Sequence, residues 1–245
     1  MKGLSILMVS YNPQYVLKAI PKLLNYLPIT IMTVILTLVF GSLLGALITV
    51  GELKGGKISY KLARGYRFIL RCTPPIVLLF IVYYGIPKLL LALFNISVNQ
   101  QQQGLFVVIS LTLLFAANIS QVFKAAYLAI PKGQYEAALS VGLTPYQAIT
   151  RIIVPQAIRY AIPNFANATL NLCKDSALAY TIGFIDVMGA ANLEIGRNLG
   201  NYSLETYTAV AIIYWFLALL ITLLTKYSEH ITDLTHKKGV KVSEP

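Results

Sequence analysis

From Leu27 to Val50 the chain reads Leu-Pro-Ile-Thr-Ile-Met-Thr-Val-Ile-Leu-Thr-Leu-Val-Phe-Gly-Ser-Leu-Leu-Gly-Ala-Leu-Ile-Thr-Val, 24 residues without a charge. About 20 apolar residues carry a helix across the hydrocarbon of a bilayer, so this run is long enough to span. Three further runs share its character: Pro75–Phe94, Gly104–Phe123 and Tyr207–Thr225, with Lys88 the one charge among all four. A fifth, Ala157–Ile185, is interrupted by Lys174-Asp175. Each run is apolar on most faces and lacks the alternation that membrane strands require. The whole chain agrees: 57% of its 245 residues are hydrophobic and 12% charged, and its mean hydropathy is +0.68. Soluble domains carry about 25% charge. The reading is an all-α integral membrane protein, a bundle of five spans with no room for a large soluble domain.

An odd number of spans puts the termini on opposite sides, and the distribution of Lys and Arg orients them. The N-terminus, the segment Asn95–Gln103 and the segment Ser176–Thr206 fall on one side. That side carries Lys2, Lys18, Lys22, Lys88, Lys174 and Arg197 against Asp175, Asp186, Glu194 and Glu205, a net +2. The opposite side carries 14 basic and 5 acidic residues, a net +9, and the two restore the +11 of the chain. The basic side is cytoplasmic, with the N-terminus outside. The expected organisation is an outer segment over 1–26 holding a short amphipathic helix, a transmembrane domain over 27–226, and a cytoplasmic tail over 227–245. Residues 1–26 do not read as a cleaved secretory leader, because Tyr11-Asn12-Pro13 ends the apolar stretch without a small-residue site.

Catalytic chemistry finds little support. Gly51-Glu52-Leu53-Lys54-Gly55-Gly56-Lys57 approaches a phosphate-binding loop, but Ile58 stands where Ser or Thr must hold Mg²⁺, and a helix precedes it. The turn reads as a Gly hinge. Cys72 and Cys173 fall near opposite faces and should not pair, and neither has metal-ligand spacing. His230 and His236 read as solvated tail residues. Lys57 to Arg71 predicts a basic amphipathic helix: Ile58, Leu62, Tyr66 and Ile69 on one side, Lys61, Arg64, Arg67 and Arg71 on the other. Its default place is on anionic lipid.

Pro131 to Pro155 predicts a helix–Gly–helix element on the cytoplasmic side. Gln134–Val141 favours helix, Gly142 permits a break, and Thr144-Pro145-Tyr146-Gln147 restarts the helix as a capping box with Pro at its first position. Pro155 is expected to stop this second helix. Small Ala137 and Ala138 allow close approach of another backbone, and Glu136 offers an anchor. The order Glu136-Ala137-Ala138, then Gly142, then Ile152-x-Val154-Pro155 resembles the EAA loop of ABC-importer permeases, in which Leu is usual where Val154 stands. Arg71-Cys-Thr-Pro-Pro75, Pro131-Lys-Gly-Gln134 and Lys174-Asp-Ser-Ala-Leu178 are similar to the R-G-T-P-L, P-x-G-Q and K-D-T-S-L motifs of polar amino-acid permeases.

The resemblance implies a type I ABC importer-like fold in a bacterial cell membrane. It also implies that the loop, about 131–155, couples to a separate ATPase through Gln134, Glu136, Ala137, Ala138 and Gly142. The partners it implies are two copies of that ATPase, a second permease copy or sister permease, an extracellular substrate-binding protein, and membrane lipid, with no nucleic acid. This chain itself would bind no cofactor and perform no catalysis, with ATP and Mg on the ATPase. The rival is an ATP-independent secondary transporter or channel, which should show internal repeats and intramembrane ionisable relays; neither is evident.

Polar groups at membrane depth face a cavity or one another. Asn164, Asn167, Asn171, Lys174 and Asp175 fall on one stripe of the fourth span, and Asn118 and Gln121 lie one turn apart on the third. The candidate substrate residues are therefore Asn118, Gln121, Asn167, Asn171, Lys174 and Asp175. The alternative has Lys174 and Asp175 neutralising each other and the Asn residues bonding helix to helix. Related permeases have an acidic residue and Arg where Gln121 and Lys124 stand. The neutral Gln121 turns the reading from arginine-like cargo toward cystine, glutamine or glutamate. The run Tyr180–Gly189 resembles the cystine-type branch. A first-span pair, Gly41-x-x-x-Gly45, is expected to help two copies pack.

Overall fold

The computed structural model describes residues 11–97, 99 and 102–240, with side chains described as far as residue 229. Residues 1–10 of the expected outer segment and 241–245 of the expected tail lie outside the described residues, as do the side chains of His230 and His236. In chain order the helices are α1 (Pro13–Leu24), α2 (Leu27–Lys54), α3 (Lys57–Cys72), α4 (Pro75–Phe94), α5 (Gln103–Leu128), α6 (Lys132–Ser140), α7 (Pro145–Ile182), α8 (Val187–Arg197) and α9 (Ser203–Val240). Among the described residues there is no strand.

Helices α2, α4, α5 and the Ser203–Glu229 part of α9 are long and apolar enough to cross a membrane. A fifth crossing is completed only by α7 together with α8, bent by 45° at the break between them. The Asn and charged residues that interrupt α7 dilute its apolar character, which is why it needs its partner.

The bundle is built on α2 and α5, which run parallel and close. A Cβ added at Gly41 would meet Phe115 Cδ1 at 2.7 Å, and one at Gly45 would meet Ile119 Cγ2 at 2.4 Å and the Ala116 carbonyl oxygen at 3.2 Å. The Thr49 hydroxyl bridges the carbonyls of Gly45 (2.8 Å) and Ser120 (2.9 Å). The Gly41/Gly45 pair expected to serve packing between copies is thus consumed inside the chain, where small residues let two backbones approach. Val34, Leu79, Val107, Leu111, Phe115, Ile119 and Leu172 form the core around this contact.

A second core joins α1 to α8 and α9 through Val16, Ala19 and Leu23 against Val187, Ala191, Ala209 and Ile213. The spacing of the three α1 residues marks its one apolar face. Polar contacts fix it further: Lys22 Nζ and Tyr15 Oη each donate to Glu194 (2.5 and 2.8 Å), and the Asn12 amide donates to Glu205 (2.7 Å). The expected short helix is therefore part of the body and not a detached segment.

One expectation about a helix end differs from the structure. Pro155 does not stop the helix before the fourth span; Pro145 to Ile182 is continuous. A π-helical stretch over Ala148–Ile153 precedes the proline. Its wider turn makes room for the ring that would otherwise strike the carbonyl four residues back. At the other end of the chain, α9 passes residue 227 without a break and continues to Val240.

Candidate substrate cleft and coupling surface

Helices α5 and α7 are antiparallel and hold between them a cleft of ≈ 430 Å³, within the range usual for small-molecule sites. Asn164, Asn167, Asn171 and Asp175 line it from α7, and Asn118 and Gln121 line it from α5. Spacings of three and four residues keep each set on one helix face. The four Asn side chains are exposed to the cleft, and among the described residues none bonds to another helix. Gly183 and the 3₁₀ turn Ala177–Ile182 close α7 beyond Asp175.

Five of the six candidate substrate residues come together in this cleft: Asn118, Gln121, Asn167, Asn171 and Asp175. Lys174 does not line it. One residue before Asp175, it is turned about 100° away around the helix and is exposed. Among the described residues the ion pairs are Lys22–Glu194, Arg67–Glu52 and Lys124–Glu52, so Lys174 and Asp175 form none.

The cleft contains a charge that sequence reasoning placed elsewhere. Arg71, assigned above to the basic face of a lipid-lying helix, lines the cleft and donates to Gln121 Oε1. The Thr73-Pro74-Pro75 break ends α3 just beyond it, and that short offset from a proline break was the available signal. One turn earlier, Arg67 donates to Glu52, which also accepts from Lys124 Nζ at 2.7 Å. Glu52 is buried at 7% exposure. It ties together α2, α3 and α5, and the Tyr66 hydroxyl adds a bond to the Leu113 carbonyl at 2.8 Å. Ile58, Leu62 and Ile69 remain on the exposed side of α3. The helix thus presents apolar residues outward and two arginines inward.

Both cleft walls lead into the helix–Gly–helix element. Helix α5 ends at Leu128 and α6 begins at Lys132, while α7 begins at Pro145. Gly142 has φ +85° and nothing near it. That left-handed conformation favours glycine. Thr144 and Gln147 form the reciprocal capping box. Ala138 is buried, as are Ala148 and Ile153 of the following helix. Gln134, Glu136, Ala137 and Gly142 are exposed. So are Val141 and Tyr146, at 79% and 77%. Of the five residues expected to couple, four therefore lie on an outer surface and Ala138 supports them from within.

Among the described residues no group of three or more His, Cys, Asp or Glu is placed to hold a metal ion. Gly51–Lys54 is the last turn of α2 and Gly55–Gly56 alone joins it to α3, a junction closed by Ser59 Oγ donating to the Gly51 carbonyl at 2.7 Å.

A bundle of membrane-crossing helices, a polar cleft within it and an exposed helical elbow continuous with both cleft walls define a membrane transport subunit. Residues 41–231 match the family described as "Binding-protein-dependent transport system inner membrane component". The chain belongs to that family, and so is the membrane permease component of an ABC importer, in which ATP is hydrolysed on a separate subunit. Over 214 residues it is 36% identical to the probable amino-acid permease protein YxeN of Bacillus subtilis (strain 168), covering 86% of this chain and 91% of that one. It is 37% identical over 201 residues to the L-cystine transport system permease protein TcyL of the same organism, covering 82% and 83%. In structure it is similar to an amino acid ABC transporter crystallised with histidines, with TM-score 0.76, 26% identity, and coverage of 89% of this chain and 98% of that one.

Proposed function

We propose that this chain imports a polar amino acid of the cystine, glutamine or glutamate type through the cleft between α5 and α7. The observation that carries the reading is the meeting of Asn118, Gln121, Asn167, Asn171 and Asp175 around one cavity, to which the three Asn side chains are open. Asn carboxamides at membrane depth with no partner in another helix cost free energy unless water or a ligand satisfies them. A cargo rich in donors and acceptors suits them. Lys174 stays outside the contact set. The relatives named as amino-acid permeases support the same class of cargo.

In this reading an external binding protein delivers the cargo, with the N-terminus outside and the C-terminus in the cytoplasm of a bacterial cell. Gln134, Glu136, Ala137 and Gly142 meet the ATPase, two copies of which serve a pair of permease chains. ATP binding biases the two walls between alternative arrangements, and the elbow joining them carries the displacement.

The test is uptake into vesicles reconstituted with the permease, its ATPase and its binding protein, using radiolabelled L-glutamine and L-cystine and unlabelled competitors. The expected result is ATP-dependent uptake that Asn167→Leu and Asn171→Leu abolish and Glu136→Lys uncouples. Uptake by the purified chain alone, without an ATPase, would instead establish the secondary-transporter reading.

A further inference from the structure

The two charged side chains that line the cleft, Arg71 and Asp175, stand at its opposite ends. The ring contacts between the walls fix the level. Phe165 of α7 meets Phe115 edge-on at 6.2 Å and stacks on Phe123 at 6.5 Å, so it sits opposite the stretch of α5 between them. Taken from that middle level near residue 119, Gln121, which holds Arg71, lies two residues toward the elbow. Asp175 lies ten residues away from it. At 1.5 Å per residue the backbone levels of the two ends differ by about 18 Å, and among the described residues no ion pair joins Arg71 to Asp175.

Arg71 is free to take an anion. Its partner in the cleft is a neutral carboxamide, whereas the neighbouring cations Arg67 and Lys124 are held by Glu52. A guanidinium binds a carboxylate in a two-pronged, charge-assisted manner that a single amide oxygen does not match. Asp175 is half-buried, and among the described residues no ion pair holds it. It suits an ammonium group.

We infer that the cleft receives an elongated cargo, with a carboxylate displacing Gln121 from Arg71 at the elbow end and an ammonium group on Asp175 at the far end. An ordinary amino acid carries both charges on one α-carbon and reaches one end at a time. In a disulfide-linked diamino dicarboxylate the two α-carbons stand about 5.5–6 Å apart, with charged groups beyond each, and the carboxamides of Asn167 and Asn171 lie between. This inference rests on the functional reading above and narrows its cargo class to the cystine kind.

The test uses the purified permease–ATPase complex without binding protein, which would impose its own selection. Binding of radiolabelled L-cystine is measured directly, with cystamine, 3,3′-dithiodipropionate and L-glutamine as competitors. Cystamine lacks the carboxylates and dithiodipropionate lacks the amines. Arg71→Gln is expected to weaken cystine and dithiodipropionate at least tenfold and leave cystamine within twofold. Asp175→Asn is expected to weaken cystine and cystamine at least tenfold and leave dithiodipropionate within twofold. Gln121→Ala, which removes the internal competitor for Arg71, should tighten cystine several-fold. That variant also guards against loss through misfolding, because it predicts a gain. Cystine binding unchanged by Arg71→Gln, or L-glutamine binding as tightly as cystine, overturns the two-ended cleft while leaving amino-acid import standing. A wild-type complex that binds neither amino acid overturns the import reading and this inference together.

Discussion

Glu52 offers the sharpest energetic test, because one buried carboxylate serves two cations from two other helices. Its side chain is 2% exposed, against 11% for Arg67 and 29% for Lys124. Removing one member of a buried ion pair costs about 3–5 kcal/mol when it leaves an uncompensated charge. Glu52→Gln leaves two such cations but keeps one oxygen that still accepts a bond, so a loss of about 3 kcal/mol is expected. Arg67→Met leaves Glu52 paired with Lys124 and should cost less. Lys124→Met removes the most solvated partner and should cost about 1 kcal/mol or below, as for exposed pairs. The assay is loss of helical circular dichroism on denaturant titration of the detergent-solubilised chain, with the three single variants compared in one detergent. Replacing all three residues by apolar ones of similar size should recover stability relative to Glu52→Gln, because no buried charge is then left unpaired. Equal losses for the three single variants, or a Lys124 variant less stable than the Glu52 variant, would refute the assignment of Glu52 as the shared anchor.

The same titration should show Gly45→Val losing about 1–3 kcal/mol or more, because the added atoms meet Ile119 and the α5 backbone and neither can give way. Glu136→Lys should leave stability within about 0.5 kcal/mol, as for other exposed sites, yet abolish retention of the ATPase on affinity purification and ATP-dependent uptake. Thr144→Ala, which removes one half of the capping box, should cost about 1 kcal/mol and raise amide hydrogen exchange at the start of α7. An unchanged exchange rate there would mean that the π-helical stretch, and not the cap, holds that end.

The spans were legible because their signal is redundant: the uncharged runs Leu27–Val50 and Tyr207–Thr225 announce the bilayer, whatever they touch. The stripe of Asn164, Asn167, Asn171 and Asp175 was legible for a related reason, since polar residues at helical spacing in apolar surroundings must share a face. Neighbours in the chain were harder. Lys174 and Asp175 differ by one position and end on different sides of α7, and only the rotation of the whole helix decides which of them enters the cleft. Arg71 and Glu52 were misplaced for a different reason. Each sits at a helix end beside basic residues, where composition alone points to the membrane surface. What brings them inward is the way α3 turns back along α2 after the Gly55–Gly56 hinge, a tertiary event with no periodic trace. Gly41 and Gly45 show the same limit: the motif announces close packing but does not say whether the partner is another copy or α5. Pro155 shows that a breaker is only as strong as the turn before it, and six π-helical residues, Ala148–Ile153, keep the helix whole.

That continuity matters for how a distant motor acts on the cleft. If Pro155 ended a helix, the elbow would join α7 through a flexible link, and displacement of the elbow would be lost in bending. With Pro145–Ile182 unbroken, the capped end at Thr144 and the Asn stripe belong to one rod. The opposite wall reaches the elbow through Ala129–Pro131 alone. In the proposed coupling, a continuous helix on one wall and a short link on the other would let a push on Glu136 or Gly142 change the spacing of Asn118 and Gln121 from Asn164 and Asn167 directly. The opposite wall is also tied sideways. Gln121 is held by Arg71, and one turn nearer the elbow Lys124 is held by Glu52 with Arg67, so the α5 wall cannot shift without drawing on α2 and α3. Inserting two glycines between Val154 and Pro155 should therefore leave ATPase binding and basal ATP hydrolysis intact while reducing uptake per ATP hydrolysed at least tenfold. Full coupling in that variant, measured by parallel uptake and phosphate release, would show that force enters the bundle by another route.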